Sequence, residues 1–214
     1  HFAAAGRDAE REAQHWNGIK FLSLDLTMGH VLSPGMAFFL NENGVTSNDL
    51  SFFRERRAVG QRWLGTDYYP SCEHRVFASG RHNTNRSTGA GFRTLASAYH
   101  ARYQVPLFHC ETNGVGPGAL SWLNGQWADI TALRHAGIPV RGFTWYSLTD
   151  QIDWQHGLRV ERNELHPVGL YDLERRIRPV GIAYSHLIAT EREREANRRR
   201  EPCALSRAMV EVVA

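Results

Sequence analysis

Glu111 ends the apolar run Val105-Pro106-Leu107-Phe108 and is followed closely by Asn113 and Gly114. A carboxylate at the end of a buried strand can serve as nucleophile, base or ion-pair partner. Three other apolar runs also end in polar or aromatic residues. Ile19 to Leu26 carries Asp25, with His30 beyond it, and Trp63 to Tyr69 closes on Asp67, Tyr68 and Tyr69. Val140 to Ser147 closes on Trp145 and Tyr146, with Asp150, Asp153 and Trp154 following. Carboxylates, amides and aromatic rings gathered at four strand ends suit a polyhydroxylated ligand. The carboxylates accept hydroxyl protons, and a Trp face stacks on the C–H face of a ring.

The elements that must position these residues are legible in the spacing. The four runs start 44, 42 and 35 residues apart, the length of repeated strand–loop–helix units. The spacing predicts parallel strands near 20–26, 63–69, 105–111 and 140–147. Between them the sequence predicts helices over 50–62 behind the caps Asn48 and Asp49, over 92–103, and over 120–136 with Gly137 as the stop. A closing helix is expected over 182–190, and His82 to Gly91 reads as a surface loop. Strands alternating with helices make this an α/β chain with a parallel sheet. In such folds the ligand site lies at the C-terminal ends of the strands.

Composition narrows the function classes. The chain has 214 residues, 42% of them hydrophobic and 22% charged, as in ordinary globular domains. A net charge of +3 with no segregated basic face does not point to nucleic acid. No apolar run approaches the ~20 residues needed to span a bilayer. Three cysteines, Cys72, Cys110 and Cys203, form neither a disulfide framework nor a CxxC pair. Free thiols favour a reducing compartment, so a cytoplasmic location is expected. Cys72, His74 and His109 with Glu111 lack the spacing of a zinc site, and no metal or cofactor is expected.

Three stretches carry a resemblance. Leu64-Gly65-Thr66-Asp67-Tyr68-Tyr69 resembles the L-G-[IL]-N-Y-Y of the sixth barrel strand in family 1 glycoside hydrolases, the β-glucosidase and β-galactosidase group. Phe108 to Gly114, FHCETNG, resembles that family's [IV]-T-E-N-G strand, the seventh. Phe143 to Trp154, FTWYSLTDQIDW, resembles the eighth, V-W-S-L-L-D-N-F-E-W. Gly169-Leu170-Tyr171-Asp172 and Arg178-Pro179 match later stretches, so the resemblance covers about residues 20 to 190. It implies the C-terminal half, strands 5–8, of a (β/α)8 barrel of TIM type over residues 1–190, with 191–214 as a charged tail. It also implies a retaining glycosidase acting on a β-glycoside. In that reading Glu111 is the nucleophile and Tyr69 donates a hydrogen bond to it. Asp67, Asn113, Trp145 or Tyr146, Asp153 and Trp154 bind the sugar.

The sequence departs from this pattern at several places. Asp67 stands where the family has Asn, Asp153 where it has Glu, and Thr112 is inserted between Glu111 and Asn113. A second carboxyl, which a retaining mechanism needs as acid and base, comes in the family from N-E-P on the fourth strand. Asn41-Glu42-Asn43 is the nearest match here, but it reads better as a helix end turning at Gly44. The acid is therefore expected upstream. Four strands also cannot close an eight-stranded barrel, so the expected partner is an N-terminal half-barrel or a second copy of the chain. The alternative is a non-catalytic carbohydrate-binding or scaffold protein on a partial barrel.

Overall fold

A computed structural model describes residues 1–84 and 89–211. In chain order it holds β1 (Phe2–Ala4), α1 (Glu10–Ile19), α2 (Leu22–Met28), α3 (Pro34–Glu42), α4 (Ser47–Glu55), β2 (Leu64–Asp67), β3 (His74–Val76) and β4 (His82–Thr84). There follow α5 (Gly91–Tyr103), β5 (Leu107–Glu111), α6 (Gly118–His135), β6 (Val140–Phe143), β7 (Gln151–Ile152), β8 (Leu165–His166) and α7 (Pro179–Glu211). These elements group into two compact units. One comprises residues 1–112 with 128–144, and the other 113–127 with the chain from Trp145 onward.

The first unit is α/β, and its central sheet is parallel. β2 pairs with β5 and β5 with β6, in the order β2-β5-β6. Burial alternates along these strands as a half-covered sheet requires. Leu64, Tyr68, Leu107, His109 and Val140 are buried, as are Phe92 and Ala96 on α5 and Ile130 and Leu133 on α6. The His109 ring stacks on Phe92 at 4.0 Å, which makes this histidine part of the core. On the other face, large side chains lie across glycines. Phe108 covers Gly142 so closely that a Cβ there would meet its ring at 2.0 Å, and Cys110 Sγ would stand 2.6 Å from a Cβ on Gly65.

The strand expected near 20–26 is a helix. Ile19 ends α1, and Leu22–Met28 is α2. Leu22, Leu24 and Leu26 alternate like a strand, but Asp25 between them decides the outcome. It is 1% exposed, and both its oxygens accept from the Arg102 guanidinium on α5 at 2.6 Å, with Tyr103 Oη donating to Oδ1 at 2.8 Å. A buried carboxylate needs such partners, and the helical turn of α2 presents it to α5. Gly29, at φ 69°, closes α2 as a left-handed cap. The parallel sheet thus has three strands, each shorter than the apolar run that contains it.

Helix limits also shift. α4 begins one turn early, because Thr46 and Asp49 form a reciprocal capping box, and it ends at Glu55. Asn41-Glu42 ends α3, and Gly44 at φ 84° makes the turn expected there. His82–Thr84, expected as loop, pairs antiparallel with β3, and 85–88 lie outside the described residues. β1 pairs parallel with β3, so a second small sheet, β1-β3-β4, completes this unit.

The second unit holds the β7–β8 hairpin and α7, with Asp150, Val168 and Leu170 among its buried residues. Asp150 forms an ion pair with Arg178 and accepts the Gly169 N–H at 3.0 Å. α7 takes in 182–190 and runs on into the charged segment, while 212–214 lie outside the described residues. Among the described residues, no helix is long and apolar enough to cross a membrane.

Candidate active site

Glu111 is the last residue of β5, and a register shift after Thr66 makes Asp67, the last of β2, its partner across the strand pair. Such an irregularity re-aims side chains at a strand end. The backbone beyond it is pinned on both sides. Tyr68 N–H donates to Glu111 O at 3.0 Å, and Thr112 Oγ1 donates to Tyr68 O at 2.7 Å. Thr112, the inserted residue, is fully buried, so its hydroxyl locks the two strand ends together.

From this frame Tyr69 Oη reaches across and donates to Glu111 Oε1 at 2.7 Å. A hydrogen bond of that length to a carboxylate is charge-assisted and fixes the acceptor's orientation. Tyr68, one residue earlier, points to the core and donates to Glu73 Oε1 at 2.5 Å. Burial, then this bond, push its phenol well above the ordinary range. Glu73 is itself buried and accepts the Gly91 N–H at 2.9 Å, tying the strand end to the start of α5. Sequence reasoning misses Glu73, because nothing in Cys72-Glu73-His74 distinguishes a buried bracket from a surface carboxylate.

Charge is concentrated at the paired strand ends. Burial, then the Glu111 charge, raise the Asp67 carboxyl above the usual range. Burial, then Asp67, raise the Cys110 thiol, so Cys110 stays protonated beside them. A cavity of about 300 Å³ adjoins Asp67, with Lys20, Thr66, His74 and Tyr99 among its walls. Among the described residues, no group of three or more His, Cys, Asp or Glu could hold a metal ion.

The second unit contains the other expected sugar-binding residues, and it assigns them different tasks. Trp145 is buried and donates Nε1–H to Val168 O at 3.2 Å, so it belongs to the core and offers no stacking face. Tyr146 is half-buried, with its ring 5.4 Å from that of Trp154, which is 42% exposed. Of the two alternatives, Trp145 or Tyr146, it is Tyr146 that joins Trp154 in an aromatic surface. Asp153 is buried and accepts three backbone N–H groups of its own loop, from Arg162 at 2.9 Å, Asn163 at 3.0 Å and Glu164 at 2.9 Å. These donors, Glu164 first, hold its carboxyl below the ordinary range. Both Asp153 oxygens are thus engaged in shaping the loop, where the sequence pattern suggested a grip on sugar. Asn113 is half-buried.

No protein-family model matches the chain, and no curated protein matches it in sequence. Solved structures do. A β-glucosidase from Thermotoga maritima in complex with deoxynojirimycin matches with a TM-score of 0.66 at 15% identity, over 88% of this chain and 48% of that one. The same enzyme in complex with noeuromycin gives 0.67 at 15%, with the same coverage. A β-glucosidase from Exiguobacterium marinum gives 0.58 at 15% identity, over 89% of this chain and 50% of that one. This chain spans about half the length of these structures. It therefore has a glycoside-hydrolase-like α/β fold, similar to about half of a β-glucosidase.

Proposed function

We propose that the chain supplies the nucleophile side of a retaining β-glycoside hydrolase. The observation that carries this reading is the Tyr69–Glu111 hydrogen bond at the ends of two paired parallel strands, in a fold similar to that of β-glucosidases. Glu111 attacks the anomeric carbon and forms a glycosyl ester, which water then hydrolyses. Tyr69 orients the carboxylate. Asp67, opposite Glu111 in the strand pair, contacts a sugar hydroxyl; within the second unit, Tyr146 with Trp154 forms an aromatic surface of the kind that stacks on a sugar ring.

A retaining mechanism needs a second carboxyl group about 5–5.5 Å from the nucleophile to protonate the leaving oxygen. We assign that group to a partner, an N-terminal half-barrel or a second copy of the chain. The test is Glu111→Gln in the assembled protein, assayed on an activated aryl β-glycoside with and without azide. A loss on the order of 10³-fold or more that azide partly restores, as an external nucleophile replacing the carboxylate, supports the reading. Turnover within tenfold of the parent rules Glu111 out.

A further inference from the structure

We propose that Thr112 is a positioning residue for Glu111: its buried hydroxyl closes a ring of bonds that sets the Tyr69 phenol against the Glu111 carboxylate. The catalytic consequence rests on Glu111 being the nucleophile, whereas the positioning does not. β2 ends at Asp67 and β5 at Glu111, so regular strand pairing stops where the site begins. Thr112 Oγ1 spans the two chains there by donating to Tyr68 O at 2.7 Å, and Tyr69 Oη returns to Glu111 Oε1 at 2.7 Å. Tyr68 with Tyr69, and Glu111 with Thr112, are neighbours in sequence. Two hydrogen bonds and two peptide links thus form one closed circuit. The Tyr68 N–H bond to Glu111 O, at 3.0 Å, braces it across the middle.

The residue type suits this task. Thr112 is 0% exposed, so its hydroxyl has no water to turn to, and burying it without a partner would be costly. The branched Cβ of threonine restricts χ1, which aims the hydroxyl before the bond forms. The bond is also needed, because the ladder is interrupted just upstream. Thr66 pairs with His109 and Asp67 with Glu111, which leaves Cys110 over as an extra residue. Past such an irregularity the ladder alone fixes the strand ends poorly, and a side-chain bond takes its place.

Tyr68 is a firm anchor for the circuit. Beyond its main-chain N–H and carbonyl, its phenol donates to Glu73 Oε1 at 2.5 Å, and Glu73 accepts the Gly91 N–H at 2.9 Å. Tyr68 and Glu73 are each 3% exposed. Thr112 therefore ties the residue beside Glu111 to the buried interior. A displacement of about 1 Å at a reacting group can slow a reaction by roughly 100-fold. Tyr69 sets how the carboxylate is turned, and Thr112 sets where Tyr69 stands.

The first test needs no activity. In the full chain labelled with ¹³Cζ-tyrosine, the Tyr69 signal is assigned from Tyr69→Phe, and Glu111→Gln marks its position once the carboxylate is gone. Thr112→Val and Thr112→Ala, which remove the hydroxyl, are expected to move the signal toward the Glu111→Gln position. Thr112→Ser, which keeps the hydroxyl, is expected to leave it near the parent position. A signal that stays in place in both Val and Ala variants overturns the proposal. So does failure of both to fold by circular dichroism, because the hydroxyl then serves the fold as a whole.

The second test uses the assembled protein and a 2-deoxy-2-fluoro β-glycoside with a dinitrophenolate leaving group, whose covalent adduct forms by nucleophilic attack alone. Thr112→Val is expected to slow adduct formation at saturating reagent by roughly 10- to 100-fold, with half-saturation little changed. Thr112→Ser is expected to recover most of the rate. In a Tyr69→Phe background, where the circuit is already open, Thr112→Val should cost much less than it does alone. Equal losses in the two backgrounds, or a loss confined to half-saturation, overturn the positioning role. If the Tyr69 signal moves as expected but the parent forms no adduct, Thr112 still positions Tyr69 against Glu111, and the glycosidase reading falls.

Discussion

Tyr69 Oη and Glu111 Oε1 lie 2.7 Å apart, although 42 residues separate them in the chain. Parallel pairing of β2 with β5 brings them together, and the Tyr68–Glu111 and Thr112–Tyr68 bonds hold the frame. If this bond orients a nucleophile, Tyr69→Phe removes a hydrogen bond to a charged group, about 1.5–3 kcal/mol. That corresponds to a loss in kcat/KM of roughly 10- to 150-fold. Kinetics on an aryl β-glycoside in the assembled protein checks this, with circular dichroism confirming that the fold persists.

The Asp25–Arg102 pair is the clearest stability prediction. Asp25 is buried and takes three donors from α5. Asp25→Ala removes the acceptor of both Arg102 hydrogen bonds, while Tyr103 keeps Phe21 O, and losing hydrogen bonds to a charged group costs about 1.5–3 kcal/mol. Chemical denaturation is expected to show this loss with an unchanged m-value.

Asp153 tests loop against ligand. Its depressed carboxyl contributes stability that is present above the unfolded Asp value, ~3.9, and is lost as the pH falls through the lower folded value. Asp153→Ala is expected to open the 153–164 loop to proteolysis at Arg159 and Arg162. In the assembled enzyme it should depress kcat/KM equally for a sugar and for its 4- or 6-deoxy analogue. A selective loss on the hydroxylated sugar would restore Asp153 as a direct ligand contact.

Asp67 has the opposite sign. Its folded carboxyl is raised, so its stabilising contribution is complete below the unfolded Asp value and declines as the pH rises through the folded one. Asp67→Asn removes this dependence. The variant's Tm is expected to fall less than the parent's as the pH rises across that window, measured by scanning fluorimetry from pH 3 upward.

Much of this arrangement is legible in the order of the amino acids. α5 and α6 begin and end close to where their apolar spacing and Gly137 put them, and β2, β5 and β6 lie inside the apolar runs that predict strands. The run at 19–26 misleads, because alternating leucines satisfy a strand pattern while the partner of Asp25 lies 77 residues away. Trp145 and Asp153 cannot be sorted from their sequence context either. Whether a Trp stacks on ligand or fills core, and whether an Asp faces solvent or its own loop, depends on Val168 and on Arg162 to Glu164. Tyr69 and Glu111 are legible through the resemblance of LGTDYY and FHCETNG to a known strand pair; apolar spacing alone gives the strand ends and not the bond between them.

The most direct test of the central claim is covalent trapping. The assembled protein is incubated with a 2-deoxy-2-fluoro β-glycoside bearing a dinitrophenolate leaving group, which departs without an acid, and then digested for peptide mass analysis. The account predicts a fluoroglycosyl adduct on the peptide carrying Glu111 and none in Glu111→Gln. An adduct on any other carboxylate, or turnover with no covalent intermediate, would contradict it.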